Sequence, residues 1–213
     1  MLRHMIPRYD VDVDPTVPLT ASFWVPAPEE LEESGGIGDF HDTERIVTNL
    51  KEARAVIDAE RQAIAYLDAN SSTPREFDDL ADAIEWETPD IPSDEAPDFF
   101  DQEDAWYGLN GLEVGVAGLV YAMNAVGIVT AASCRSHHKG HQPRADYPTV
   151  VFAANRPQTD ALQPLVESAG CGFEVDDVDR PKLLAVVASS ILDMTELASS
   201  VLRAASSFAQ VEH

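Results

Sequence analysis

The stretch "LVYAMNAVGIVTAASCRSHH", residues 119–138, decides how the chain is organised. Up to Val126 it is apolar on every side and carries no charge, as a helix inside a core would. Gly127 breaks that run, and the β-branched residues after it are strand chemistry. The segment therefore predicts a helix over about Leu112–Val126, a glycine stop and a strand over Ile128–Ala132. The apolar run approaches the length of a membrane span, but Asn124, Gly127 and Thr130 interrupt it and no basic flank precedes it, so no membrane association is expected.

Downstream, "YPTVVFAA" (147–154) reads as a strand, "PQTDALQPLVESAG" (157–170) as a helix opened by Pro157, and "CGFEVDDV" (171–178) and "KLLAVVASS" (182–190) as strands. A terminal helix follows in "DMTELASSVLRAASSFAQV" (193–211). The order α-β-β-α-β-β-α predicts an α+β fold, a mostly antiparallel sheet with helices packed on one face, preceded by a helical acidic N-terminal region. Upstream, Ile46, Leu50, Ala53, Ile57, Ile64 and Leu67 recur near helical spacing, with Asp42 or Thr43 as the expected cap and Asn70 as the end. A second helix is expected over Pro74–Trp86, because Thr73 can cap it, Pro74 suits its first turn and Glu76 completes a capping box. Residues 1–40 are rich in Pro, Gly and acids and read as an extended arm with one short strand at "TASFWV" (20–25). Three regions result: the arm (1–40), a helical and acidic connector (41–105) and an α+β core domain (106–213).

With 38 acids against 14 bases the chain carries a formal charge of −24, which disfavours nucleic acid as a partner. The N-terminus "MLRHMIPRYDVDVD" lacks the apolar core of a secretory signal, so a cytoplasmic location is expected. Cys134 and Cys171 are the chain's two cysteines, too few for a disulfide framework; a reduced thiol or a metal ligand is the expected use. Charge is unevenly spread. Glu76–Asp104 holds 13 acids and no base, interleaved with Phe77, Trp86, Phe99 and Phe100, whereas Val114–Ala145 holds no acid. Arg135, Lys139 and Arg144 fall in that acid-free run, so they are expected to form a positive patch that takes an anionic small molecule or the chain's own acids.

The same loop carries Cys134, His137 and His141 in the spacing C-x2-H-x3-H. One thiolate and two imidazoles can converge on a single ion from such a loop, and zinc takes mixed sulfur and nitrogen ligands tetrahedrally. His138, Asp146, Cys171 or water are open as the fourth ligand. The rival reading is a nucleophilic thiol, Cys134, activated by His137 and nearby positive charge, which would make both residues catalytic. An inert buried cysteine beside ordinary loop histidines is the plain alternative.

The tract "LVYAMNAVGIVTAASCRSHH" with "YPTVVFAA" resembles a pattern in small bacterial proteins: a helix ending in Leu-Asn-x-x-Gly-Ile-x-Thr, then Ser-Cys-x-Gly-His, then a strand. It is more distantly similar to the wybutosine-synthesis methyltransferase-like family, which has a Ser-Cys-Ser-Gly-Arg turn in a comparable place. Ser136 stands where both patterns have glycine, and His137 matches the histidine of the first. The resemblance covers about 40 residues. It implies that Ser133, Cys134 and His137 form a turn at a pocket for a nucleotide-like or adenosylmethionine-like ligand.

Two functions stay open at this level. One is a ligand- or metal-binding protein whose site is the Cys/His/Arg loop, with or without catalysis. The other is a non-enzymatic acidic interaction protein, such as an inhibitor, an accessory subunit or a nucleic-acid mimic, that meets a basic protein partner through the acidic segment.

Overall fold

The apolar runs at 149–153 and 180–188 are the two central strands of a four-stranded antiparallel sheet in a computed structural model that describes residues 5–27, 31, 46–86, 109, 111–137, 145–177 and 180–209. In chain order the strands are β1 (Val129–Cys134), β2 (Thr149–Ala153), β3 (Cys171–Asp177) and β4 (Arg180–Ala188), and their order in the sheet is β1-β2-β4-β3. The helices are α1 (Leu50–Asn70), α2 (Pro74–Trp86), α3 (Ala117–Ala125), α4 (Arg156–Ala169), α5 (Ile191–Arg203) and the short α6 (Ala205–Phe208). The fold is α+β, and no described helix is long and apolar enough to cross a membrane.

Alternation along the central strands explains both layers. Val150 and Phe152 of β2 and Leu184, Val186 and Ala188 of β4 face the helices, in one core with Leu119, Met123, Leu162, Val166, Met194, Leu197 and Val201. Their neighbours Val151, Ala153, Leu183, Ala185 and Val187 point the other way, where Val11, Val13 and Trp24 of the N-terminal arm cover them. Burial on both faces is why these strands read as continuous apolar runs rather than as alternating ones. The arm is bonded to the sheet's surroundings: Tyr9 N–H donates to the Ser189 carbonyl (2.9 Å) and Phe173 N–H to the Asp14 carbonyl (2.8 Å). Gly172 permits this approach, since a Cβ there would lie 2.7 Å from the Asp14 nitrogen. The segment 20–25 is not a strand, contrary to expectation; Trp24 N–H donates to the Ala154 carbonyl (3.0 Å), and its side chain packs on the sheet.

Helix boundaries follow local chemistry. α1 begins later than the apolar spacing suggested: the chain at 46–49 is not helical, and the Asn49 side chain accepts from the N–H groups of Lys51 and Glu52, in place of the expected Asp42 or Thr43 cap. α2 starts as expected, with Glu76 N–H donating to Thr73 Oγ1 (3.1 Å). Gly127, at φ 82°, ends the turn that follows α3 and lets the chain reverse into β1. The N-cap residue of α3 is Val116, which has no capping oxygen. A carboxylate from another helix takes that role: Glu60, fully buried in α1, accepts from Gly115 N–H (2.9 Å) and Gly118 N–H (3.1 Å). Burial pushes Glu60 up to about 7.

Candidate functional site

Three segments meet at the C-terminal end of β1. A register shift between Thr130 and Ala132 re-phases the strand, after which Cys134 pairs with Thr149 and closes the ladder. Ser136 then adopts φ 68°, a left-handed conformation that a serine rarely takes, and its N–H lies 3.4 Å from Cys134 Sγ. That turn brings His137 back beside Cys134. From the segment before α3 comes Glu113, and from α2 come Asp78, Asp82 and Glu85, spaced to lie on one face of the helix.

Arg135 is the centre of the acid cluster. Its side chain is 1% exposed, and its guanidinium donates to Asp78 Oδ1 (3.0 Å), to both oxygens of Glu85 (3.1 Å each) and to Asp82. Its backbone N–H donates to Glu113 Oε2 (2.7 Å). Burial acts against the guanidinium charge, but Glu85, Asp82, Asp78 and Glu113 outweigh it and hold the group above its ordinary value. Glu85 also accepts from Val114 N–H (2.8 Å), yet burial pushes it up to about 7 against the pull of Arg135.

His137 is held at both ring nitrogens by carboxylates, Nδ1 with Asp82 Oδ1 at 3.0 Å and Nε2 with Glu113 Oε1 at 3.1 Å. Its hydrogen bond with Cys134 and then that with Glu113 raise it to about 10, against the effects of burial and of Arg135. Burial likewise acts to raise Glu113, but the His137 bond and the Arg135 N–H hold it below the usual carboxylate range. Ligand atoms of Glu113, Cys134 and His137 all lie within 4.8 Å of one another, so this group can hold a metal ion. Four carboxylates face the Arg135 and His137 cations, an excess of acid that the raised Glu85 lessens but does not remove. A partly buried cluster with that imbalance attracts a further cation.

The structure thus brings Cys134 and His137 together at a strand end. Ser133 stays in the ladder opposite Val150. Arg135 is turned inward onto the chain's own acids and is not offered to an anion from solvent; Lys139, Arg144, His138 and His141 lie outside the described residues. Neither alternative ligand among the described residues joins the group. Cys171 sits in the helix-side core with Phe173 and Val186, where burial pushes its thiol well up, and Asp146 is exposed. Spacing arguments missed Glu113, because it lies 21 positions before Cys134 in sequence. They also missed Asp78, Asp82 and Glu85, although the i, i+4, i+7 spacing on an expected helix was a usable signal. No protein-family model matches this chain, and no curated protein or solved structure is similar enough to it to be counted as a match.

Proposed function

We propose that the chain is a metal-binding protein whose site for a divalent transition metal of the zinc class is Cys134, His137 and Glu113. The observation that carries this reading is the orientation of His137. Its Nδ1 is engaged by Asp82 while Nε2 faces Glu113, and a histidine that gives one N–H to a carboxylate while presenting the other nitrogen to a ligand group is the arrangement that orients metal-binding imidazoles. Thiolate, imidazole and carboxylate together favour zinc or cobalt over magnesium or calcium, which take oxygen ligands. Tetrahedral zinc separates its ligands by about 3.5 Å, so the present spacing needs side-chain adjustment of roughly 1 Å.

Charge supports the same conclusion. A divalent ion on His137 Nε2 must displace the proton that the raised imidazole holds there, so binding strengthens with pH, and the carboxylates around it supply the negative field that draws the ion. The acidic interaction reading is less well supported, since Asp78 and Glu85 are 3% and 2% exposed and bonded internally to Arg135. Elemental analysis of the purified protein, with Cys134→Ser and His137→Ala alongside, tests the proposal. One equivalent of zinc in the unmutated protein and loss of it in both variants is expected. If chelation leaves cysteine alkylation unchanged and no equivalent of metal is found, the cluster is a thiol–imidazole pair without an ion.

A further inference from the structure

We infer that Glu60 is a positioning residue for the metal centre: by tying the backbone at Gly115 and Gly118 to α1, it fixes where the Glu113 carboxylate stands relative to Cys134 and His137. The inference rests on the metal reading for its effect on binding; the placement of Glu113 is testable without an ion.

Hydrogen bonds lead from one carboxylate to the other. Glu60 Oε1 accepts from Gly115 N–H (2.9 Å) and Gly118 N–H (3.1 Å). The N–H groups between them, of Val116 and Ala117, donate to the Glu113 carbonyl (3.3 and 3.2 Å), so Glu113 opens the same turn that Glu60 clasps. Val114 N–H donates to Glu85 (2.8 Å), which ties the residue after Glu113 to α2. The Glu113 side chain in turn receives Arg135 N–H on Oε2 (2.7 Å) and meets His137 Nε2 with Oε1 (3.1 Å). Glu113 is thus held at both ends, its backbone by α1 and α2 and its carboxylate by the end of β1.

The turn presses closely on Glu60. A Cβ on Gly118 would overlap Glu60 Oε2 and lie 3.0 Å from Ile57 Cγ1. Glu60 is fully buried, and its Oε2 has no hydrogen-bond partner among the described residues. Burying a carboxyl with an unpaired oxygen costs stability, and a serine or asparagine in place of Val116 would cap α3 locally. What a local cap cannot supply is a tie to a second helix, and that tie sets Glu113. Glu60 acts through the backbone of the turn and is not one of the three ligands.

Two measurements on the full-length protein test this. The first is a cobalt(II) titration followed by the thiolate-to-cobalt charge-transfer band, which reports Cys134 ligation directly. Glu60→Met removes both acceptor oxygens at similar volume and should weaken cobalt binding about tenfold, the lower end of what losing support around a ligand costs. Glu60→Gln keeps an oxygen for both N–H groups and, because burial pushes Glu60 up to about 7, resembles the group near neutrality, so its affinity should stay within about twofold of the unmutated protein. The second is amide hydrogen exchange in the metal-free protein. In Glu60→Met the Gly115, Gly118 and Arg135 amides should exchange about fivefold faster, since Glu113 covers the Arg135 N–H; those of Phe173 and Ala188, bonded to the Asp14 and Pro148 carbonyls, should not change. Unchanged cobalt affinity in Glu60→Met, or an Arg135 amide that keeps its protection when Gly115 and Gly118 lose theirs, would overturn the inference. So would equal acceleration at Phe173 and Ala188, which signals general loosening, or a Glu60→Gln variant as weak as Glu60→Met. Should Glu60→Met not fold, Gly118→Ala, whose methyl displaces the Glu60 carboxylate, must reproduce both effects, and its failure to do so overturns the inference equally. An unmutated protein that gives no charge-transfer band removes the metal reading, and the Arg135 amide then still decides whether Glu60 places Glu113.

Discussion

Replacing Arg135 by methionine removes the guanidinium shared by Asp78, Asp82 and Glu85 while keeping most of its packing volume. The Asp78 and Glu85 side chains are 4% and 1% exposed, so water cannot take its place. Breaking a buried ion pair from one side costs about 3–5 kcal/mol, because the stranded charge and not the lost attraction sets the scale. Against a typical domain stability of roughly 5–15 kcal/mol, that is a large loss. The pH dependence identifies its origin. In the variant the buried carboxylates keep protons to higher pH than in the unfolded chain, and Glu85 starts from about 7 even with Arg135 beside it. The native variant therefore binds more protons than its unfolded form, and its stability falls as pH rises, by about 1.4 kcal/mol per pH unit for each proton retained. Urea denaturation at pH 5, 6.5 and 8, followed by tryptophan fluorescence, should show a small deficit at pH 5 and the full deficit at pH 8. Adding Asp78→Asn and Glu85→Gln should recover most of it, since a neutral set leaves no stranded charge. A deficit below about 1 kcal/mol at pH 8, or one that is equal at pH 5 and pH 8, would refute the claim that burial of these carboxylates depends on Arg135.

Two further outcomes are expected. In the metal-free protein His137, raised from 6.5 to about 10, should contribute stability that is fully present below pH 6.5 and is lost as pH rises through 10. The stability difference between the unmutated protein and His137→Asn should shrink across that window, with ring-proton NMR shifts that do not titrate between about pH 7 and 8.5; a midpoint near the ordinary histidine value would refute the doubly held imidazolium. Asp82→Asn should weaken cobalt binding roughly 10- to 100-fold while leaving the thiolate charge-transfer band in place at saturation, because Asp82 orients the His137 ring without itself being one of the three ligands. Unchanged affinity would count against that role.

The fold was readable where periodicity and punctuation agreed. Gly127 after the uncharged run, Pro157 after Asn155, and the Thr73/Glu76 pair each mark a place where backbone conformation depends on one residue's own chemistry, and elements start or stop there. The start of α1 was not readable in the same way. Ile46 and Leu50 continue the apolar spacing of the helix, but Ile46 lies outside it, with its N–H on Asn124 Oδ1 (3.4 Å), and Leu50 is 41% exposed. Periodicity cannot tell a helical turn from an extended segment that happens to bury its first apolar residue on a neighbouring helix. The arm escaped for a related reason: Val11, Val13 and Trp24 fill a sheet face, and a cover of that kind has no period of its own.

At the site, Cys134 and His137 were legible because two ligand-type residues followed a strand end at short spacing, and Arg135 meets the chain's own acids, one of the two outcomes expected of it, although it does so as a buried side chain. The acid count over Glu76–Asp104 treated every carboxylate alike, although α2 sorts them by face. Phe77, Ala81 and Ile84 form the stripe that packs with Ile64, Leu67 and Val114. Docking that stripe turns the adjacent positions 78, 82 and 85 toward whatever borders the contact, and the border is the end of β1. Three carboxylates converging there would repel one another; a planar guanidinium with five donors can bond all three, which a lysine ammonium does less well. The acids of α2 are therefore the reason an arginine can be buried one residue from Cys134. They are also the reason Asp82 is in place to hold His137, so the charge pattern along the chain encodes an internal contact that builds the site.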